Sequence, residues 1–318
     1  MEIMPSDRKV VSRRGFLAHG LCVTASAVAT TALTSCDSLE TAEVAKRAAR
    51  TRFGFTTYQW GKDWDVPTLI ANCSKARAFG VELRTSLSYA HGVELDLNSR
   101  QRREVKKRFD DSAVSLVGVA TSERFDSPDP TKLKAAIENT KAYIKLSRDI
   151  GGSGVRVFPN SFHDGVTRQK TIEQIGSSLN IVGAFADDYG QQVRLEAHGS
   201  AGELPTIKAI MDHVVQPSVR VKLNSDKRDT KDKGFEHNFD LVKHFLGDTL
   251  HLHNLKDTEF PYQLQMDLLV RMGWSGWQLL EVSDKVPDRV QALIEQRRIW
   301  DQMLANSLNT AIESTEQY

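Results

Sequence analysis

From Arg52 onward, short apolar or alternating runs are separated by longer amphipathic ones. Eight of the short runs read as strands, at 53–58, 81–85, 114–120, 154–159, 192–198, 219–224, 249–255 and 277–282. They recur at intervals of roughly 25 to 40 residues, the count and spacing of a (β/α)8 barrel. Helix signals occupy the gaps. Asp65 can cap a helix with Pro67 in its first turn, Leu69, Ile70, Cys73 and Ala76 on its inner face and Gly80 as its stop. Asp129 and Pro130 open another, with Leu133, Ile137 and Ile144 apolar and Gly151 and Gly152 closing it. Between Thr171 and Tyr189, Ile172, Ile175, Leu179, Val182 and Ala186 fall at helical spacing ahead of Gly190. Alternating strands and helices imply parallel strands with right-handed crossovers. The expected fold is therefore an α/β TIM barrel over residues 52–318. An open doubly wound sheet would often carry a Gly-rich phosphate loop after its first strand, and none follows here.

Side chains alternate across a strand, so polar positions inside these runs have a predictable side. With Val81 and Leu83 toward the helices, Glu82 and Arg84 enter the barrel. The same parity turns Arg156, then Arg194, Glu196 and His198, then Lys222, Asn224 and Asp226, then His251 and His253, and finally Glu281 inward. Six of the eight strands thus aim charged or imidazole groups at one interior, mostly near their C-terminal ends, where barrels of this kind do chemistry. Buried charges without partners or a metal are costly, so this cluster demands a purpose.

Composition narrows the class. The chain has 318 residues, 40% hydrophobic and 26% charged, which is ample for a core. A formal net charge of +1 lacks the basic excess of a general nucleic-acid binder. The first residues read differently from the rest. Ser12-Arg13-Arg14-Gly15-Phe16-Leu17 matches a twin-arginine export pattern, an apolar run extends to Leu33, and Leu33-Thr34-Ser35-Cys36 resembles a bacterial lipobox with Cys36 as the lipidated residue. The expected organisation is a signal peptide over 1–35, a polar tether over 36–51 and the barrel from 52. An exported, periplasmic or outer-face lipoprotein follows, touching the membrane only through its lipid. Cys73 is then the one free thiol, read as a small buried apolar residue.

Four motifs resemble, in order and strand placement, the xylose isomerase-like TIM barrels, the sugar isomerase and epimerase group, over about residues 52–300. They are Leu195-Glu196-Ala197-His198-Gly199, Lys222-Leu223-Asn224-Ser225-Asp226, His251-Leu252-His253-Asn254-Leu255-Lys256-Asp257 and Leu280-Glu281-Val282; Glu82 in Gly80-Val81-Glu82-Leu83 fits as well. The resemblance implies one divalent metal ion (Mn, Mg, Co, Zn or Fe) held by Glu196, the residue at Asn224, His253 and Glu281. The chain departs from the family pattern where Asn224 replaces Asp and where Lys227 stands near the usual His. Either the Asn224 amide oxygen or Asp226, one pleat further out, fills the second place.

The activity implied is a metal-dependent sugar isomerase or epimerase, working on a small-molecule sugar or keto-sugar. A carboxylate removes the proton beside a carbonyl and an enediolate forms, with Glu196 and Glu281 as base and acid. With a leaving group β to the carbanion, the same site becomes a 3-keto-glycoside lyase or hydrolase. A third reading is a non-catalytic sugar-binding lipoprotein, suggested by Asn224. A phosphodiesterase of the endonuclease IV type shares the barrel but wants more metal ligands than these strands supply. Candidate substrate contacts are Arg156, His198, Lys256 and Trp60, with Arg84 beside them. Each also has a plain structural reading: interior salt bridges for the arginines, pairing with Asp257 for Lys256, and packing for Trp60 and His198. His251 is expected either to orient the ligand histidine or to sit as a satisfied core residue.

Overall fold

The computed structural model describes residues 43, 44, 46 and 48–316. The proposed signal peptide and Cys36 lie outside the described residues, as does most of the tether. Eight strands run in chain order: β1 (Arg52–Thr56), β2 (Gly80–Arg84), β3 (Ser115–Arg124), β4 (Gly154–Phe158), β5 (Gln192–Glu196), β6 (Val219–Lys222), β7 (Thr249–Leu252) and β8 (Trp277–Leu280). Between and after them lie α1 (Val66–Lys75), α2 (Ser99–Asp110), α3 (Pro130–Asp149), α4 (Arg168–Asp188), α5 (Leu204–Met211), α6 (Phe235–Val242), α7 (Tyr262–Arg271) and α8 (Arg289–Glu316). The sheet order is β6-β5-β4-β3-β2-β1-β8-β7 and every ladder is parallel. Its two ends meet where Gly247 N donates to Val221 O at 3.0 Å and His251 N donates to Leu223 O at 2.8 Å, which nearly closes a (β/α)8 barrel. Among the described residues no helix is long and apolar enough to cross a membrane.

The helices form where the sequence signals them. Asp65 caps α1 by accepting from Thr68 N, and Pro67 occupies the first turn, where its missing N–H costs nothing. Asp129 caps α3 ahead of Pro130 in the same way. On α4, Ile175, Leu179, Val182 and Ala186 are fully buried, the larger side chains contributing roughly 1.5–3 kcal/mol each. One expected stop is displaced. Gly80 does not end α1: the helix stops at Lys75, Arg77 takes the left-handed turn (φ 56°), and Gly80 opens β2. Its lack of a side chain serves the barrel instead, since a Cβ there would lie 2.4 Å from the Trp277 ring.

That contact belongs to the barrel floor, which is filled by matching large residues to small ones. Trp277, Leu279 and Val117 form a small apolar cluster with Phe79 packed against it. The Arg194 guanidinium also descends into the floor, where it donates to Val117 O and to Ser153 Oγ. Gly154 makes room for it, because a Cβ there would stand 2.7 Å from Arg194 Cζ. The floor is thus packed with side chains, and Glu82, Glu196 and Glu281 lie beyond it toward the C-terminal ends of the strands.

Candidate active site

Above the floor lies a layer of buried charge. Glu82 on β2 accepts from Lys222 Nζ on β6 through both oxygens, at 2.6 and 2.7 Å, and from His251 Nε2 on β7 at 2.8 Å; all three side chains are fully buried. Burial alone would raise the Glu82 carboxyl, but Lys222 and His251 hold it well below the ordinary carboxylate range. Since Nε2 of His251 donates to Glu82, Nδ1 is the ring atom turned the other way. It lies 3.3 Å from Glu196 Oε2 and 3.2 Å from Glu281 Oε2.

Glu196 ends β5 and Glu281 follows β8, so the two carboxylates approach from opposite sides of the β6–β7 seam. Arg156 on β4 places Nε 3.0 Å from Glu196 Oε2, with both groups about 1% exposed. Burial would raise Glu196, yet Arg156, His251 and Lys222 together bring it below its usual range. Glu281 is also lowered, burial again opposing and His251 prevailing. Burial and Lys222 lower His251, but Glu281 and Glu196 outweigh them and push it up to about 10. Either a proton or a cation at Nδ1 satisfies both carboxylates.

The donor set suits a divalent cation. Glu196, His251 and Glu281 each offer one ligand atom, and these atoms lie within 4.8 Å of one another. Glu196 Oε2 and His251 Nδ1 are buried without an aligned hydrogen-bond partner, and so is Asn224 Oδ1, two residues beyond Lys222. Two carboxylates and an imidazole offer a mixed O/N donor set of the kind Mn, Mg, Fe, Co or Zn accept.

This set differs from the sequence expectation in its histidine. His253 stands one pleat nearer the mouth, half-buried, with Nδ1 3.0 Å from the Glu281 carbonyl oxygen. Asp226 is engaged elsewhere: it accepts from Arg228 N at 2.9 Å and pairs with the Arg228 guanidinium. Lys256 is not brought to the mouth, and pairs with Glu295 at 2.6 Å rather than with Asp257. Trp60 is buried, and its Nε1 donates to Asp284 O, so it serves as packing between two loops. Arg156 and His198 do line the interior. The Arg156 guanidinium lies 4.0 Å from the Phe158 ring centre, the His198 ring packs tilted against the same phenyl at 4.6 Å, and burial lowers the His198 pKa.

Sequence reasoning missed how Glu82, Lys222 and His251 join. All three were placed inside the barrel by parity, but the pairing spans 140 residues between Glu82 and Lys222, and no local pattern encodes it. A second missed pair sits on the loops. Asp126, buried after β3, accepts from His163 Nε2 at 2.9 Å and from Ser161 N at 3.1 Å.

The comparisons agree with this architecture. Among curated proteins none matches the sequence. Solved structures similar to this chain include an L-ribulose 3-epimerase (15% identity, 82% of this chain and 97% of that one, TM-score 0.70). Others are the D-psicose 3-epimerase of Clostridium cellulolyticum H10 (16%, 84% and 99%, TM-score 0.61) and the 3-keto-D-glucoside 4-epimerase of E. coli (11%, 80% and 99%, TM-score 0.67). At these identities the likeness is one of fold. The model of the xylose isomerase-like TIM barrel family matches residues 70–303, from α1 into α8 and through seven of the eight strands, and the chain belongs to that family.

Proposed function

We propose that this chain is a sugar isomerase or epimerase that moves a proton at the carbon beside a carbonyl. The observation that carries the reading is the convergence of Glu196 and Glu281 on one imidazole nitrogen, at 3.3 and 3.2 Å, at the C-terminal end of the barrel. Both carboxyls are held ionised, the form in which a carboxylate can accept a proton or bind a cation. They come from β5 and from the end of β8, on either side of the β6–β7 seam, and in this reading one carboxylate takes a proton from one face of a sugar while the other serves the opposite face. Return to the same carbon is epimerisation, and return to the neighbouring carbon is isomerisation. Glu196, His251 and Glu281, with Asn224, would hold a divalent metal, which when bound supplies Lewis-acid polarisation of the sugar carbonyl. Arg156, beside Glu196, and His198, on Phe158, are the groups placed to orient the substrate.

The solved epimerases of ribulose, psicose and a 3-keto-glucoside support this class of substrate. A keto-glycoside with a leaving group β to the carbanion would be eliminated rather than epimerised at the same site. Export as a lipoprotein anchored through Cys36 places the reaction outside the cytoplasm in this reading. The second reading, sugar binding without turnover, rests on Asn224, whose amide removes a negative charge from the donor set.

Incubation with ketoses and 3-keto-glycosides in D2O, followed by proton NMR, tests the proposal. Loss of the proton beside the carbonyl, dependent on Glu196 and Glu281, is expected. A sugar that binds but never exchanges would put the non-catalytic reading first.

A further inference from the structure

The interior carries more positive charge than a neutral sugar needs. Its three carboxylates, Glu82, Glu196 and Glu281, are matched in number by Lys222, Arg156 and Arg84 before His251 and Arg194 are counted. Whatever sits at His251 Nδ1, proton or cation, adds to the surplus. Arg84, like Arg194, has no carboxylate at ion-pair distance among the described residues, and Glu281 and Glu196 act on it only from further away. Arg84 Nη1 donates instead to the carbonyls of Ala120 and Thr121 at 3.2 Å.

The sheet register places Arg84 in a specific relation to Arg156. Arg84 pairs with Ala120 on β3, and Ala120 pairs with Arg156 on β4. Register partners on adjacent strands point to the same side. Two arginines therefore flank a residue whose side chain is one methyl group, which is all that β3 puts into the gap between them. Both guanidiniums gather at the Phe158 ring, with Cζ 4.0 Å (Arg156) and 6.0 Å (Arg84) from its centre. Arg84 Nε and Arg156 Nη1 are buried without hydrogen-bond partners, and Arg156 is 1% exposed. Buried donors of this type in native structures point to a missing acceptor, and paired guanidinium forks fit an oxyanion.

We propose that the substrate is an anionic keto-sugar, its acid group held between Arg84 and Arg156 above Ala120. This deepens the isomerase or epimerase reading and rests on it. The acid group anchors one end of the sugar on β2 and β4, while its carbonyl end meets Glu196 and Glu281. A carboxylate and a phosphate ester share the necessary oxyanion chemistry, and the test separates them.

Isothermal titration of the purified protein with D-fructuronate, D-fructose and D-fructose 6-phosphate measures the discrimination directly. At least one acid should bind roughly tenfold or more tightly than fructose, the worth of a charge-assisted hydrogen bond. Which acid does so identifies the group. In Arg84→Gln, and in Ala120→Leu, which fills the gap, the ratio of acid to fructose affinity should collapse toward one. The wild-type ratio stands as evidence even where a variant fails to fold. Fructose binding as tightly as both acids overturns the proposal. Deuterium exchange into fructose in that case would leave the enzymatic reading intact.

Discussion

Lys222 on β6 reaches across the barrel to hold both oxygens of Glu82 on β2, with neither side chain accessible to solvent. Such a pair offers little net stability over an apolar isostere, but breaking it leaves an uncompensated buried charge. Lys222→Met should therefore cost about 3–5 kcal/mol in urea unfolding. The double variant Glu82→Gln/Lys222→Met should cost less than Lys222→Met alone. A double variant as unstable as the sum of the singles would show that the two groups are not coupled.

The carboxylates facing His251 Nδ1 should be separable from the fold. Glu196→Gln and Glu281→Gln should each lower the rate of proton exchange by roughly 10² to 10⁴ with the far-ultraviolet circular dichroism unchanged. Exchange at the wild-type rate in either variant would remove that carboxylate from the chemistry.

Metal content distinguishes His251 on β7 from His253, which follows that strand. His251 shares a 4.8 Å cluster with Glu196 and Glu281, whereas His253 turns its Nδ1 to a main-chain carbonyl. Elemental analysis of protein incubated with Mn, Co, Zn or Fe should find metal lost from His251→Asn and retained in His253→Asn. The reverse pattern would return the ligand role to His253.

Asp229 predicts a pH dependence of stability. It lies in a single helical turn at 227–230, is 2% exposed, and neither carboxylate oxygen has a hydrogen-bond partner. Burial pushes its pKa up to about 7, so the native state keeps a proton that the unfolded chain releases near pH 4. Between those values the folded form binds more protons, and stability falls as pH rises through that window. Asp229→Asn removes the charge, so it should melt higher than wild type at pH 8, with the gap closing toward pH 5. A constant gap across that range would contradict the assignment.

The barrel floor makes a steric prediction. In Gly154→Ala the new methyl would stand 2.7 Å from both Arg194 Cζ and the Gln192 carbonyl oxygen, and the latter is main chain that cannot turn away. A loss of about 1–3 kcal/mol is expected, read as a lowered melting temperature. An unchanged melt would mean that the floor has slack.

Most of the scaffold was legible because its signals are local. Strand parity alone placed Glu82, Arg156, Glu196, Lys222 and His251 inside, and the caps at Asp65 and Asp129 began the helices they open. What escaped depends on contacts between distant strands. Gly80 looks like a helix stop to its neighbours in sequence, and only the Trp277 ring, arriving from β8, explains it. The exchange of His253 for His251 in the candidate ligand set has the same origin. Both lie on the same strand face, and their depth relative to Glu196 and Glu281 is set by the stagger of strands around the barrel. Lys256 and Trp60 sit on loops, where no periodicity constrains direction.

The seam between β6 and β7 has a consequence for how the chain reaches its native state. These are the two ends of the ordered sheet, joined among the described residues by the Val221–Leu246 bridge, by His251 N donating to Leu223 O and by Ser225 Oγ donating to His251 O, while Glu82 and Lys222 face each other from opposite walls. The ion pair cannot assemble on a half-rolled sheet, because its partners then lie far apart on an open surface and remain hydrated. Its formation therefore requires the sheet to have curled until β2 and β6 face each other, and the costliest closure in that curling is the β1–β8 ladder, which pairs Arg52 with Trp277. The residues that gather around the substrate are thus the same ones that register the curling of the sheet.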